Sequence, residues 1–308
     1  MVATSTALFP DLRKVAFARH ETFHPRFGWL KKGFDAAQQE AQQGEAVGIF
    51  TADDAVVRLG VGKNMVRSIR YWCNAFQVLE DDQPTELGEK LLGDEGWDTF
   101  LENPASLWLL HWQLLQNPEE ATAWAIAFFG FHAVEFSPDD LLASLEQYSE
   151  ASPGKKTAVS SLKKDMNCIL RMYSEPELQR GAIEDSINSP FSGLGLISRS
   201  RKQYKFCIGE KENLPPEIIV YACLKFAETS SAKTISVSRL TYDPHSPGLT
   251  FKLPERVICD AIADVESRDP RVAVRESEGL LQFSFTEDPN SLADDILEQY
   301  YTEPVAAL

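Results

Sequence analysis

The sequence predicts a mainly α protein with small β wings, and three observations carry that expectation. Two amphipathic segments, 52–59 and 63–76, flank Gly60-Val61-Gly62, which gives helix, short glycine turn and helix. An apolar stretch over 104–150 repeats at three- and four-residue intervals. From 214 onward, helical segments lead into two alternating runs, 271–276 and 280–286. The expected organisation is an N-terminal motif plus winged helix-turn-helix over 1–95, a helical middle domain over 96–185 and a C-terminal winged-helix-like domain over 186–308.

Residues 28–43 form the first expected helix, amphipathic from Trp29 and fading into Gln-rich surface before Gly44. Thr51 stands where it would cap a helix at 52–59, with Asp53 and Asp54 in the first turn, where the dipole favours carboxylates. In the helix 63–76, Met65, Val66, Ile69, Trp72, Cys73 and Phe76 make the apolar stripe. That leaves Lys63, Asn64, Arg67, Ser68, Arg70 and Tyr71 on the outer face, the side-chain types that bond phosphates and base edges. Val78-Leu79-Glu80 reads as a strand, Asp81-Asp82-Gln83 as a hairpin turn, and 84–92 as a returning strand and closing helix. Two carboxylates at a wing tip repel a phosphate backbone, so contact is expected through the second helix alone.

Helices are expected at 104–112, 119–132 and 138–149, the last with Ser137 as cap and Pro138 at its first position. His111, between Trp and Leu on both sides, reads as a core histidine bonded to backbone, and His132 and Glu135 close the middle helix. After a break at Ser152-Pro153-Gly154, a helix over 156–173 turns Lys163, Lys164, Asn167 and Arg171 away from its apolar stripe. Residues 188–198 read as loop, followed by a second basic cluster of Arg199, Arg201, Lys202 and Lys205. Helices then follow at 215–228, 236–240 and 254–266, with an acidic tail helix from 288. Glu255, Asp260, Asp264 and Glu266 make helix 254–266 a packing or partner-binding element rather than a DNA reader.

A chain of 308 residues, 44% hydrophobic and 25% charged, has the make-up of an ordinary globular protein of two or three domains. No apolar run reaches the roughly 18 residues of a membrane span, and no secretory signal is visible. Five cysteines are scattered, odd in number and never spaced C-x-x-C, which suits reduced thiols in a cytoplasmic protein. The net charge of −16 argues against nucleic acid as a partner, yet it is unevenly spread. Residues 1–72 carry ten basic and seven acidic side chains, a balance of +3, which leaves 20 against 39, or −19, for the remainder. A phosphate backbone would dock on that N-terminal part.

The densest group of chemical side chains lies there too, in Phe17–Leu30. His20-Glu21-Thr22-Phe23-His24 matches the zinc-protease pattern H-E-x-x-H, but Pro25 pushes His24 out of the helical region that the pattern needs, so no zinc is expected. Two readings remain. Either Phe17, Phe23, Phe27 and Trp29 anchor a turn in which the histidines pack, or Arg19, His20, His24 and Arg26 form an anion site. No phosphate-binding G-x-x-x-x-G-K-[ST] loop, G-x-G-x-x-G fingerprint or G-x-S-x-G elbow is present. Composition and spacing describe a helical, DNA-associated protein without naming a reaction.

Four segments taken together resemble one family: Arg-His-Glu-Thr-Phe-His-Pro-Arg-Phe-Gly-Trp-Leu (19–30), Leu-Gly-Val-Gly-Lys-Asn-Met-Val-Arg-Ser-Ile-Arg-Tyr-Trp (59–72), Leu-Trp-Leu-Leu-His-Trp (107–112) and Pro-Glu-Ile-Ile-Val-Tyr-Ala (216–222). It is a bacterial family of formerly unknown function associated with DNA phosphorothioation, and one branch supplies the B component, a DNA nickase, of the Ssp single-stranded systems of phage defence. The resemblance runs across nearly the whole chain. It implies DNA as a partner, together with a cysteine desulfurase, an ATPase and an ATP-pyrophosphatase-like sulfurtransferase. No catalytic constellation is carried over from the family. If the chain nicks DNA, the reaction is phosphodiester hydrolysis, with Mg²⁺ or Mn²⁺ as candidate cofactor. The local density of groups then singles out His20 or His24 as base or metal ligand, Glu21 as metal ligand or orienting group, and Arg19 and Arg26 on the scissile phosphate. Lys63, Asn64, Arg67 and Arg70 would hold the duplex, with Lys163, Lys164, Arg171, Arg201 and Lys202 as further DNA contacts. The competing expectations are a non-enzymatic adaptor that recruits the sulfur machinery, or a transcriptional regulator.

Overall fold

Apolar periodicity fixes where most helices run, and the computed structural model describes residues 14–43, 48–152, 156–175, 189–228, 233–277 and 279–302. The break expected at Pro153-Gly154 lies outside those residues. The protein is mainly helical with small antiparallel sheets, and it divides into two compact units, Met1–Cys207 and Ile208–Leu308.

In the first unit, α1 (Trp29–Gln43) buries Trp29, Leu30, Phe34 and Ala37. It packs on α3 (Lys63–Ala75), whose buried side includes Val66, Ile69, Trp72 and Cys73. The crossing is close because Gly33 lacks a side chain: a Cβ there would meet Cys73 Sγ at 2.5 Å and Ile69 Cγ2 at 2.7 Å. Full burial of such side chains is worth about 1.5–3 kcal/mol each, which explains why a helix with a Gln-rich outer face is held at all.

Between them, α2 (Ala55–Leu59) starts three residues later than the sequence suggests. Thr51 does not cap it; its hydroxyl donates to the Gly48 carbonyl at 2.9 Å, and the Thr51 and Ala52 amides bond back to the same carbonyl. Asp53 and Asp54 therefore precede the helix, and Asp54 at the cap makes no side-chain capping bond. Gly60 at φ +63° ends α2 in the left-handed conformation, and α3 begins directly after Gly62. The outer face of α3 keeps Lys63, Asn64, Arg67 and Arg70 exposed, but Ser68 and Tyr71 are buried, contrary to expectation. Tyr71 turns inward because its hydroxyl donates to the Glu120 carbonyl at 3.0 Å.

The hairpin that follows pairs β1 (Leu79–Glu80) with β2 (Gln83–Pro84). Its two central residues, Asp81 at φ 47° and Asp82 at φ 66°, take the doubly left-handed form of a two-residue hairpin turn. Then α4 (Glu86–Leu92) starts on Thr85, whose hydroxyl accepts from the Gly88 amide.

Next, α5 (Pro104–Leu115) is capped by Asn103 and buried on nearly all sides. The long helix expected at 119–132 is shorter: α6 (Thr122–Ala125) continues as a π-helical turn, Ile126–Gly130, because Asn117–Ala121 form a separate turn. His111 is a core histidine, but its Nδ1 meets the Tyr173 hydroxyl at 2.8 Å. β3 (Glu135–Phe136) precedes α7 (Pro138–Ala151), which opens on a full capping box between Ser137 and Asp140. In α8 (Val159–Tyr173), Leu162, Met166, Ile169 and Tyr173 face inward, whereas Lys163, Lys164, Asn167 and Arg171 are exposed. The expected loop at 188–198 contains a 3-10 turn, Pro190–Leu194, and the start of β4 (Ile197–Ser200). With β5 (Gln203–Phe206) these strands form an antiparallel sheet in the order β3-β5-β4.

In the second unit, α9 (Pro216–Ala227) packs on α12 (Glu255–Glu266) and α13 (Pro289–Thr302). Strand β6 (Thr234–Ser236) leads into α10 (Val237–Tyr242) and α11 (Pro247–Phe251). The expected strands at 271–276 and 280–286 are β7 (Val272–Ser277) and β8 (Leu280–Phe285), and the antiparallel sheet runs β6-β8-β7. The acidic outer face of α12 is internally neutralised in part by Arg256 on Asp260, at 2.8 Å, and Arg268 on Asp264, at 2.5 Å. Among the described residues, no helix is long and apolar enough to cross a membrane.

Candidate nucleic-acid interface

The His20–His24 segment is a turn, not a helix, so the geometry that H-E-x-x-H requires is not formed. Ala18 (φ 55°), Glu21 (φ 49°) and Thr22 (φ 70°) are all left-handed without being glycine. Each such residue costs on the order of 1–2 kcal/mol and persists only where the surroundings over-determine it. Here they do. The Phe23 amide closes on the His20 carbonyl at 2.9 Å, the Trp72 indole donates to the Phe23 carbonyl at 3.1 Å, and the Ala18 amide lies 2.9 Å from both oxygens of Asp165 on α8.

Because the turn alternates direction, its five candidate residues go separate ways. His20 has no exposed surface; it sits against Trp72 and Trp124, and its Nε2 bonds to Asp165 Oδ1 at 3.0 Å. Burial by itself would lower the His20 pKa, but Cys168 and Asp165 outweigh it and raise the value from 6.5 to about 10. Burial pushes the Asp165 carboxyl up despite the imidazole beside it. His24 is half-buried. Arg26 lies over the Phe23 and Trp29 rings at 5.4 and 5.3 Å, with its Nε buried and unbonded. Arg19 and Glu21 alone of the five line a cleft of about 1250 Å³. Of the expected aromatic anchors, Trp29 is buried and Phe17 and Phe23 are half-buried, whereas Phe27 is 66% exposed; of the four residues of the expected anion site, Arg19 alone lines the cleft, with Glu21 beside it.

The same cleft is lined by Lys63, Arg67 and Arg70 of α3, so the first motif and the outer face of that helix share one surface. Glu21 meets Arg67 at 3.4 Å across it. Asn64 is exposed but does not line the cleft. The tip of the β1–β2 hairpin folds back onto α3, where Asp82 accepts from Arg70 at 2.7–2.8 Å and from Asn74 at 3.0 Å. An internal partner for Arg70, and not a carboxylate aimed at solvent, is what the tip supplies. Five cations and eight carboxylates line the cleft in all, and Lys14 is paired with Glu120, Arg67 with Glu21 and Arg70 with Asp82. Among the described residues, Arg19 and Lys63 form no ion pair, which makes them the cations most available to an anionic ligand.

None of the other basic candidates lines the cleft. Lys163, Lys164 and Arg171 are exposed along α8, and Arg201 and Lys202 form the exposed tip of the β4–β5 hairpin. Lys164 directly precedes Asp165 and so adjoins the turn. Sequence reasoning missed Asp165 as a partner of the motif; its signal was one acidic residue in the otherwise basic stretch 155–171.

No three described His, Cys, Asp or Glu side chains gather closely enough to hold a metal ion. Magnesium commonly binds through one or two carboxylates with water and substrate phosphates completing its shell. The described residues therefore do not make a closed magnesium cage.

A family model described as a protein of unknown function, DUF4007, matches residues 17–301. Among solved structures, a magnesium ion-bound SspB crystal structure is similar at a TM-score of 0.85 and 34% identity, covering 95% of this chain and 91% of that one. A second SspB crystal structure gives a TM-score of 0.84 and 35% identity, with 94% and 90% covered. No curated protein matches.

Proposed function

Since the chain belongs to the DUF4007 family and is SspB-like along nearly its whole length, we propose that it is the DNA-contacting component of a DNA phosphorothioation system and nicks one strand for sulfur modification. The observation that carries this reading is the shared cleft, in which Arg19 and Glu21 of the turn lie beside Lys63, Arg67 and Arg70 of α3. Arg19 and Lys63 would bind phosphate oxygens, and Arg67 would join them by exchanging carboxylate for phosphate, while Arg70 on the same face is held back by its two-point pair with Asp82. Glu21, with 34% of its side chain exposed, is the cleft carboxylate that adjoins Arg19 and could orient or deprotonate an attacking water. His20 has no surface to offer a substrate, so its part is to hold the turn from behind. Mg²⁺ supplied with the substrate would neutralise developing charge on the phosphate, in keeping with the magnesium-bound SspB structure.

The element orders α2-α3-hairpin-α4 and α9-β6-α10-α11-α12-β7-β8 support a winged-helix reading of the two ends of the chain, with a helical middle domain between them in sequence. In that reading α3 is the nucleic-acid helix, and the ion-paired α12 serves protein partners such as the desulfurase and sulfurtransferase.

The test is incubation of purified protein with supercoiled plasmid and Mg²⁺ or Mn²⁺, beside binding measurements over a salt series. Open-circle product that disappears in Glu21→Gln, with binding weakened in Arg19→Ala and Arg67→Ala, is the expected result. Full nicking by both Arg19→Ala and Glu21→Gln refutes the site. Salt-sensitive binding with no strand breaks favours the second reading, a recruiting adaptor, which the excess of carboxylates in the cleft also suits.

A further inference from the structure

We propose that Asp165, in the middle of α8, is the positioning residue of the cleft: by clamping the Ala18–Thr22 turn it sets the direction of Arg19 and Glu21, although it touches no ligand itself. The inference rests on the reading of the cleft as a nucleic-acid contact, and it adds a second element of the fold to that site.

Asp165 is anomalous where it stands. Its neighbours on the inner face of α8, Leu162, Met166, Ile169 and Tyr173, are apolar, and Asp165 itself is 1% exposed. A carboxylate is tolerated in such a place only if its oxygens are bonded. Both oxygens are spent on one short stretch of chain more than 140 residues away, on the Ala18 amide at 2.9 Å from each and on His20 Nε2 at 3.0 Å. The carboxylate's bonds to Ala18 and His20 all run to the turn, so it serves that segment and not its own helix.

The turn needs such a clamp. Three of its five residues, Ala18 to Thr22, hold left-handed backbone angles that non-glycine residues resist. Ala18 is the first of them, and its amide is the one that Asp165 accepts from. His20 is the inward member, fixed among Trp72, Trp124 and Asp165. Its chain neighbours on either side are the two residues that line the cleft. Fixing His20 and the Ala18 amide at once leaves Arg19 and Glu21 little choice of direction. The neighbouring segment is tied down as well, by the Ala16 amide on Thr122 Oγ1 at 2.9 Å, so that freedom lost at Asp165 would be regained mainly between 17 and 22.

Asp165→Asn is the discriminating variant. It keeps the shape of the side chain but offers one acceptor oxygen, with an amide NH₂ facing donors on Ala18 and His20. Hydrogen exchange of the full chain reads the clamp directly and needs no ligand. Peptides spanning 15–23 should exchange at least tenfold faster in Asp165→Asn, whereas those from α3 and α5 stay as in the wild type. Unchanged exchange over 15–23 overturns the proposal. So does equal acceleration throughout the first unit, which would make Asp165 a general stability residue.

Binding to labelled duplex and single-stranded DNA over a salt series then reads the consequence. Loss of one phosphate contact lowers the salt slope by about 0.7–0.9, which is roughly five- to eightfold in affinity at about 0.1 M salt. Asp165→Asn should show that loss, and Arg19→Ala combined with Asp165→Asn should bind no worse than Arg19→Ala alone, because Asp165 acts through Arg19. Additive losses refute the positioning role. If the wild type binds no DNA, the functional reading falls, while the exchange result still decides whether Asp165 sets the turn.

Discussion

Asp82 holds Arg70 out of action, and releasing it should tighten nucleic-acid binding. The pair is a fork, with Arg70 Nε on one carboxylate oxygen at 2.8 Å and a terminal nitrogen on the other at 2.7 Å. Asp82→Asn removes the charge with little disturbance, since Asn is at home in the left-handed position of a hairpin turn and keeps an oxygen for Asn74. The Arg70 side chain is 47% exposed, so loss of the ion pair should change stability by less than about 1 kcal/mol. Arg70 is then free to take a phosphate. One added contact steepens the dependence of log K on log salt by about 0.9 for duplex and about 0.7 for a single strand. Relative to molar salt, that amounts at about 0.1 M to binding roughly eightfold or fivefold tighter. Fluorescence anisotropy with labelled strands across a salt series measures both numbers. A slope no steeper than wild type, with unchanged affinity, refutes the assignment of Arg70 to phosphate contact.

Other outcomes follow from single geometric facts. In Gly88→Ala the new Cβ would lie 2.2 Å from the Val78 carbonyl oxygen, a backbone atom that no rotamer change relieves; a loss of about 1–3 kcal/mol in urea unfolding is expected, and none would mean that α4 shifts freely. The raised pKa of His20 makes protonated imidazole stabilising, so its contribution is fully present below pH 6.5 and disappears as pH rises toward about 10. The stability gap between wild type and His20→Gln should narrow over that window, and a constant gap would contradict an ionised His20. Lys252 behaves oppositely: burial and the nearby Lys211 lower its pKa to about 7, so the unfolded chain binds the proton more tightly up to 10.5. Lys252→Met should gain stability over wild type at pH 7, and that gain should shrink as pH approaches 10.5. Removing Lys163, Lys164 and Arg171 together should reduce the salt slope of DNA binding by up to about three if α8 extends the phosphate contact, and leave it unchanged if the cleft acts alone.

Much of the helical framework was legible from periodicity. The stripe in 63–76, the glycine turn before it, the Ser137-Pro138 start and the β7–β8 hairpin are local patterns, decided by residues within a few positions of one another. The family resemblance was also local in origin, carried by short motifs, and the likeness to SspB agrees with it. Local pattern did less well where neighbours compete for one group. Thr51 had a plausible cap to make, but the Gly48 carbonyl took its hydroxyl. The strands at 197–200 and 203–206 are four residues each and depend on β3, some sixty positions earlier, for the rest of their sheet.

Residue order alone shows which side-chain types gather near the N-terminus and which face of the following helix is basic. How that cluster divides emerges from packing: Arg19 and Glu21 line the cleft, His20 enters the core, and Arg26 lies on aromatic rings. The reason is that the direction of each side chain in a strained turn is set by distant partners, Asp165 and Trp72 above all, and spacing along the chain carries no record of them. Charge behaves the same way. A surplus of three positive charges over 72 residues says little about the cleft, because carboxylates from the hairpin and the 117–121 turn fold back onto the arginines and lysines.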